Sequence, residues 1–271
     1  MARVLLAALL CFASAAESDS QAASYAKALL DAYSGVFAFD ATANEIVWRD
    51  GSRLDFGAAR PEWTFEQRLD TATLWDQLSI PYSRAWPQSV PDADPGRLRC
   101  DAFFKKMYGA TAAEVERNMV RVPWPAAGSG KTVRFTKVNG ADAALEAVGV
   151  ELAQLPEDVR RYVAKPNGTF NWRVVAGTPR LSPHSYGIAI DFAMPIDNQY
   201  WRWDGPAATR PEVTAPSSAI AYPAAVLHDA AMRRIVEAFE RHGFIWGGKW
   251  HHYDLMHFEY RPELLFLSGR E

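Results

Sequence analysis

The spacing of apolar and polar residues divides the N-terminal part of the chain into short elements. Residues 36–48 place two apolar runs on either side of a polar turn, which predicts a β-hairpin. In residues 64–78 a phenylalanine and three leucines recur at roughly helical spacing, and this predicts a helix. Thr111 followed by Glu114 fits a capping box that opens a further helix, ending near Met119.

The second part of the chain, from about residue 122, mixes both periodicities. Apolar side chains form one stripe of a helix predicted over 141–155. A helix over 224–242 has a stop signal, because two basic residues precede Gly243. The remaining pattern predicts strands over 132–138, 170–175, 188–193 and 256–260 and a long, proline-containing loop over 204–223.

Helices and strands follow one another without a regular βαβ repeat, which predicts an α+β fold. We expect residues 121–271 to form one domain that carries the chemistry. Residues 17–120 contain no convincing catalytic constellation. We interpret them as a lobe or decoration of unknown type that packs on the second part or shapes access to it.

Composition excludes some classes of partner. The chain has 271 residues, a formal net charge of −3 and 49% hydrophobic residues, which suffices for a sizeable core. No basic run stands out, so we expect no nucleic-acid partner. Cys100 lies in an apolar, helix-like run and is expected to be a buried structural thiol rather than a nucleophile.

The N-terminus has the features of a secretory signal peptide. Arg3 precedes a short apolar run, which is followed by small and then polar residues. The apolar run is too short to span a bilayer, so we expect no transmembrane segment. We predict that residues 1–16 are removed by cleavage after Ala15 or Ala16 and that the protein is exported to the periplasm or cell envelope. The alternative interpretation is a buried N-terminal helix.

Two distant segments together contain the donor types of a mononuclear zinc site. His184 and Asp191 lie in the first segment and His257 in the second. A catalytic zinc needs three protein ligands and an open position for water, and imidazole and carboxylate suit zinc without a thiolate. We predict one zinc ion per chain, held by these three side chains and able to lower the pKa of bound water. The alternative is a pair of hydrogen-bonded core histidines beside an aspartate that caps a turn.

Both segments need turns to bring these side chains together. The separation of His184 and Asp191 would place them on opposite faces of a continuous strand, so we expect Gly187 to permit a turn between them. Asp254 and His257 converge only on a helical or turn face, which predicts a turn after Asp254. Asp254 is our predicted general base, which takes a proton from the attacking water and passes one to the leaving amine.

An arginine is placed to meet an anionic substrate group. In the predicted strand 170–175, apolar side chains share one face and Arg173 points to the other. A guanidinium there could contact a substrate carboxylate or the developing oxyanion. Arg180 is the competing candidate.

Residues beside the second motif allow two interpretations each. His251 and His252 either line the pocket or are solvated loop imidazoles. Glu259 either orients an imidazole from behind or is a surface carboxylate on a strand. Four tryptophans fall near the expected cleft and could stack on glycan rings, although aromatic residues fill cores more often. They are Trp201, Trp203, Trp246 and Trp250.

Taken together, the two motifs resemble the zinc peptidases that cut bacterial cell-wall peptides. That family includes D-alanyl-D-alanine carboxypeptidases and dipeptidases linked to vancomycin resistance, and L-alanyl-D-glutamate endopeptidases of phage and bacteria. The matching positions are Ser182, His184, Gly187, Ala189, Asp191, Asp254, His257, Phe258 and Glu259.

The resemblance covers roughly residues 122–265 and implies an antiparallel sheet with flanking helices, as in hedgehog and D,D-peptidase domains. It implies that His184, Asp191 and His257 are the zinc ligands and that Asp254 is the acid/base carboxylate. Arg173 is the best match for an arginine that the family carries before the first motif.

The predicted function is therefore a zinc-dependent peptidase acting on peptidoglycan stem peptides or muropeptides, of D,D-carboxypeptidase or L,D-endopeptidase type. The alternative is a catalytically inactive, zinc-stabilised cell-wall binding domain on the same scaffold. The sequence has no His-Glu-x-x-His or Gly-x-Ser-x-Gly motif that would favour another hydrolase. It leaves open which bond is cut and which oligomer forms.

Overall fold

The computed structural model describes residues 19–86, 93–176, 178–193, 226 and 228–268. The predicted signal peptide and the predicted loop over 204–223 lie outside these residues. Within the described ranges, no helix has the length and apolar character needed to cross a membrane.

The N-terminal part is built from short elements around a three-stranded antiparallel sheet of order β1-β2-β3. These elements are α1 (19–32), β1 (Phe37–Asp40), β2 (Glu45–Trp48), β3 (Arg53–Asp55), α2 (Phe65–Leu69), α3 (Leu74–Leu78), α4 (Asp101–Tyr108) and α5 (Ala112–Glu116).

The predicted hairpin is confirmed, with Phe37 opposite Trp48, and β3 extends it. The single helix predicted over 64–78 is wrong, because the structure has two short helices there. Thr64 and Thr73 each cap one of them with a complete capping box. The side chain of Thr73 accepts from a backbone N–H inside the second helix, so the first helix ends before it.

Cys100 and Thr111 lie on either side of α4. Thr111 does cap α5, but α5 ends at Glu116 and a strand has begun by Met119. Cys100 is a buried free cysteine directly before α4. Burial raises the pKa of its thiol to about 11, as expected of a structural thiol.

The second part contains two sheets and four α-helices among the described residues. The strands are β4 (Met119–Pro123), β5 (Thr132–Thr136), β6 (Pro166–Gly168), β7 (Ala189–Phe192), β8 (Phe244–Trp246) and β9 (His257–Tyr260). The helices are α6 (Ala141–Ala153), α7 (Glu157–Arg160), α8 (Ala230–Arg241) and α9 (Pro262–Ser268).

Helix α6 and the strands β5, β7 and β9 lie where the apolar periodicity places them. Helix α8 begins at Ala230, where the Asp229 side chain accepts the N–H groups of Ala231 and Met232. Of the residues predicted to be helical before it, 224, 225 and 227 lie outside the described residues. The predicted stop is confirmed, because α8 ends at Arg241 and Gly243 follows with a φ of +89°, which suits glycine after a helix.

The strand predicted over 170–175 is wrong. Apart from one bridge between Val174 and Leu181, the segment belongs to no ladder among the described residues. Its backbone instead pairs with the segment that leads into the first motif: Asn171 donates to the carbonyl of His184, and Ser182 donates to that of Arg173. The shorter strand β6 occupies the place beside β7.

The sheet that carries both motifs is antiparallel, of order β6-β7-β9-β8, so the predicted α+β class is confirmed. Phe239 of α8 stacks on Phe258 of β9 with ring centroids 4.0 Å apart. One buried cluster contains these rings and also residues of the N-terminal part, such as Leu29 and Phe103. The domain boundary near residue 120 stays a prediction.

Replacing Phe239 by Ala should destabilise the protein by about 3–5 kcal/mol, because the ring is fully buried and its loss leaves a cavity under β9. Phe266→Ala is the matched control, since that ring is 45% exposed and its removal should cost no more than about 1 kcal/mol. Urea unfolding of both variants measures the difference. Equal losses would contradict this picture of the core.

Candidate metal centre

The first motif forms a tight turn that leads into β7. His184 lies in a 3₁₀ turn, Pro183–Tyr186, which Ser182 caps by accepting the backbone N–H of His184. Gly187 ends the turn with a φ of +66°. A Cβ atom at Gly187 would lie 2.4 Å from the sulfur of Met119, so close packing also requires glycine. The expected turn between His184 and Asp191 is confirmed.

The tautomer of His184 follows from its hydrogen bond. Its Nδ1 lies 2.8 Å from the carbonyl oxygen of Thr169, which can only accept, so Nδ1 carries the proton. The other nitrogen, Nε2, points at Asp191 and lies 3.1 Å from its Oδ2. A backbone carbonyl behind a histidine is the usual support for a metal-binding imidazole.

Asp191 and His257 face each other across two paired strands. They occupy opposite positions in the β7–β9 ladder. Their side chains meet with 2.9 Å between Oδ1 of Asp191 and Nδ1 of His257. Directly opposite residues in an antiparallel pair lie on the same face, so the ladder brings the two donors together.

The second motif also begins with a turn, as predicted. The backbone N–H of His257 lies 3.3 Å from the carbonyl oxygen of Asp254. The indole Nε1 of Trp246 donates to the carbonyl of Leu255 at 2.8 Å, and Asp254 donates its N–H to Gly247 at 3.0 Å. These bonds fix where Asp254 lies relative to His257. Trp246 is thus a buried structural residue.

Donor atoms of His184, Asp191 and His257 all lie within 4.8 Å of one another, so this group could hold a metal ion. The donor set suits such an ion, because two imidazoles and one carboxylate leave a net negative charge when the imidazoles are neutral. The rings of His184 and His257 are 5.2 Å apart and both residues are buried.

The electrostatics of the site favour a cation. Burial alone would raise the pKa of Asp191, but hydrogen bonds with His184 and His257 hold it well below its usual range. Burial alone would lower the pKa of His257, but Asp191 and Glu259 raise it to about 10. His257 therefore holds its proton strongly, because the neighbouring carboxylates are negatively charged. The same negative charge favours a metal ion, which must displace that proton when it binds.

Asp254 has a different environment from Asp191. Its Oδ1 is buried and has no hydrogen-bond partner among the described residues. Burial is the main cause that raises the pKa of this carboxyl group, with a further contribution from the charge of Asp191. A buried carboxylate oxygen without a partner is costly, which makes Asp254 available to an incoming polar group.

The two candidate arginines differ in their partners. The backbone of Arg173 is fixed beside His184, because Ser185 Oγ accepts its N–H at 2.9 Å and donates to its carbonyl at 2.7 Å. The Arg173 side chain itself is exposed. Arg180 instead forms an ion pair with Asp70 at 3.1 Å.

Two residues of the N-terminal part, Asp94 and Arg97, contact His252 and Trp250, and the sequence did not predict these contacts. His252 is not a solvated imidazole: it is 2% exposed, and its Nδ1 lies 2.5 Å from Oδ2 of Asp94. Arg97 lies over the ring of Trp250 at 4.6 Å and donates to the carbonyl of His252 at 2.6 Å. No local pattern around Asp94 or Arg97 signals these contacts, which join segments far apart in the chain.

Glu259 is fully buried and lies behind His257, with 3.3 Å between its Oε2 and Nε2 of the imidazole. The alternative of a surface carboxylate is therefore wrong. Burial alone would raise the pKa of Glu259, but His257 and the charges of Arg261 and Arg99 lower it to about 2.

Residues 176–260, which contain both motifs, match the model of a family described as D-alanyl-D-alanine carboxypeptidase. The suspected family is confirmed over that segment, and the match indicates a peptidase. No curated protein and no solved structure matches the chain.

If the three side chains hold a divalent ion, zinc should stabilise the protein by about 2.7 kcal/mol at a free concentration one hundred times Kd. His184→Ala should abolish that stabilisation, because two ligands hold zinc poorly. Thermal unfolding with zinc and with a chelator measures the effect. His228→Ala, which removes an exposed imidazole, is the control and should respond like the wild type. Equal zinc stabilisation of His184→Ala would exclude this ligand set.

Proposed function

We propose that this protein is a zinc-dependent peptidase that hydrolyses peptide bonds in bacterial peptidoglycan stem peptides. One observation carries the proposal: Asp254, whose Oδ1 is buried with no hydrogen-bond partner among the described residues, belongs to the turn that leads into His257, which lies beside His184 and Asp191. The family match over residues 176–260 supports a peptidase of the D-alanyl-D-alanine carboxypeptidase kind.

Zinc fits the donor set best. Two imidazoles and one carboxylate, with no thiolate, are typical of a catalytic zinc site that keeps an open position. Zinc bound there supplies a Lewis acid that activates water and polarises the substrate carbonyl. We infer one ion per chain, with His184, Asp191 and His257 as ligands.

Asp254 is proposed as the general base. Its raised pKa brings the carboxyl group closer to the pH at which a group can both accept and return a proton. It takes the proton of the attacking water and delivers a proton to the amine that leaves. Asp191, which is held ionised by two imidazoles, does not suit that task.

Arg173 is proposed to bind an anionic group of the substrate. Its backbone is anchored to the turn that carries His184, while its guanidinium is exposed to solvent. Arg180 fits less well, because its guanidinium is paired with Asp70. A planar guanidinium can hold a terminal carboxylate through two parallel hydrogen bonds.

The second candidate function is a catalytically inactive, zinc-stabilised cell-wall binding domain on the same scaffold. Asp254 argues against it. A zinc site that serves only stability has no use for a buried carboxylate oxygen that finds no partner among the described residues, because such an atom costs stability. The peptidase gives this residue a role.

The same proposal covers the scaffold, the export of the protein and the type of bond that is cut. We infer that the scaffold is the hedgehog and D,D-peptidase type of antiparallel sheet, and that residues 1–16 direct export to the periplasm or envelope. D,D-carboxypeptidase and L,D-endopeptidase cleavage would use the same side chains. Mass spectrometry of muropeptides incubated with the zinc-loaded protein distinguishes the two, because each removes a different fragment.

Asp254→Asn should leave zinc affinity nearly unchanged and lower kcat for muropeptide cleavage about 10²- to 10⁴-fold, because the amide cannot accept the proton. Asp158→Asn, on an exposed carboxylate, should behave like the wild type in both assays. Zinc binding and cleavage are measured on the same preparations. Full turnover by Asp254→Asn would remove Asp254 from the mechanism.

Arg173→Ala should lower kcat/KM about 10- to 100-fold, which corresponds to losing a charge-assisted contact worth about 1.5–3 kcal/mol. Neither zinc affinity nor the unfolding midpoint should change, because the side chain is exposed. Arg121→Ala removes another exposed guanidinium and serves as the control. If both variants keep wild-type kinetics, Arg173 does not bind the substrate.

A further inference from the structure

A chain of buried polar side chains begins behind the candidate metal centre, at the nitrogen of His257 that does not face Asp191. Nδ1 of His257 lies against Asp191 and Nε2 against Oε2 of Glu259. A carboxylate behind a ligating imidazole fixes the ring orientation and increases its basicity. Glu259 can do this only if its own position is fixed.

Arg261 fixes Glu259 from the other side. It is fully buried, and its Nη1 lies 2.9 Å from Oε1 of Glu259. Its Nε donates to Oε1 of Glu263 at 2.6 Å, so one guanidinium bridges two buried carboxylates. Nη1 also donates to the carbonyl of Gly96 at 3.1 Å.

Glu263 in turn is held by the N-terminal part of the chain. Its Oε2 accepts from the hydroxyl of Tyr33 at 2.7 Å, and its Oε1 accepts from Nε2 of Gln77 at 3.2 Å. Gln77 is itself oriented by the backbone N–H of Cys100, which donates to its Oε1 at 3.0 Å. We call the path His257–Glu259–Arg261–Glu263–Tyr33 the buried relay.

Gly96 shows how closely the N-terminal backbone approaches this relay. The residue has a φ of +93°, and a Cβ atom there would lie 2.6 Å from Oε1 of Glu259 and 3.3 Å from Nη1 of Arg261. Only glycine lets the carbonyl of residue 96 reach Arg261 without displacing Glu259.

The charged side chains of the buried relay are shielded from water. Glu259, Arg261 and Glu263 are 0% exposed, so water cannot replace a lost partner. Removing one partner of a buried charge leaves the other uncompensated, and hydrogen bonds in such a network strengthen one another. Replacing a partner at the far end would therefore weaken the contacts that hold Arg261 against Glu259.

We propose that the N-terminal part completes the metal centre, with Tyr33 and Gln77 as positioning residues that hold His257 in its metal-binding orientation through Glu263, Arg261 and Glu259. The inference rests on the ligand set of the proposed function and assigns to residues 17–120 a role in metal affinity. Tyr33 and Gln77 lie outside residues 176–260, which carry the family match.

The chain offers a matched pair of variants to test this. Tyr33→Phe removes a hydroxyl that donates to buried Glu263, and Tyr82→Phe removes one that donates to buried Glu240 at 2.5 Å. Both tyrosines are at most 2% exposed and both lie in the N-terminal part. Glu240 is paired with Lys249 rather than with Glu259 or Arg261, so only Tyr33 belongs to the buried relay.

The measurement is zinc affinity of the full chain, by competition with a chelator at one pH, with the visible spectrum of bound Co²⁺ as a second readout. Tyr33→Phe should weaken zinc binding about 3- to 10-fold, and Glu259→Gln, next to the ligand, about 10- to 100-fold. Tyr82→Phe should retain wild-type affinity and the wild-type Co²⁺ spectrum. Unfolding midpoints without metal show whether the two tyrosine variants lose comparable stability.

Equal zinc affinities of Tyr33→Phe and Tyr82→Phe would overturn the proposal and leave the buried relay with a purely structural role. If Tyr33→Phe does not fold, Gln77→Glu and Glu263→Gln make the same test, and unchanged affinity in both overturns it. Muropeptide cleavage is scored separately. A wild-type protein that binds zinc but cleaves nothing refutes the proposed function alone, whereas one that binds no zinc refutes both.

Discussion

The contact of the Asp191 carboxylate with two imidazoles is the interaction on which the rest of the site depends. Asp191 lies in a strand next to β9, so its meeting with His257 is a consequence of ladder register. A slip of one residue would turn Asp191 to the opposite face of the sheet and separate it from both histidines. The register is secured from that opposite face, where Ile190 and Phe258 pair and are completely buried. Core packing and the contact between Asp191 and His257 thus require the same alignment.

The charge around this contact explains why so many buried ionic groups surround it. Asp191, Asp254 and Glu259 bring three carboxylates to one region, and two of them, Asp191 and Glu259, raise the pKa of His257 to about 10. Unpaired, such charges would be too costly to bury. The positive charges of Arg261 and Arg99 offset Glu259 from behind, which leaves the front of the site negative. The protein thus neutralises Glu259 behind His257 and leaves the negative charge on the side of the candidate ligands, where it favours a cation.

The local geometry of the site was predictable, and its long-range support was not. The turn after His184, the turn at Asp254 and the convergence of three candidate ligands all follow from spacing and from the facing rules of strands. The segment 170–175 shows the limit of those rules. Apolar and polar residues alternate in it as in a strand, but its backbone pairs with His184 and the residues just before it rather than with a strand. The break within 64–78 had a signal, Thr73 three residues before Asp76, which the helical spacing of the leucines concealed. Contacts such as Tyr33 with Glu263 join residues 230 positions apart, and no pattern within either segment identifies the other.

The two aspartates near the candidate ligands show how one fold assigns different tasks to the same side chain. Asp191 receives hydrogen bonds from both imidazoles, which keeps it ionised and suited to bind a cation. Asp254 is held by its backbone, while a buried oxygen of its side chain has no partner in the described part of the chain and burial raises the pKa of its carboxyl group. Pairs of titratable groups whose pKa values are pushed apart by their surroundings are typical of acid–base sites. A domain that used the ion only as a structural support would gain stability by giving Asp254 a partner or replacing it with an apolar residue. Asp254 instead lies in a turn that Trp246 and Gly247 hold in place. A role in proton transfer therefore explains this residue better than a contribution to stability does.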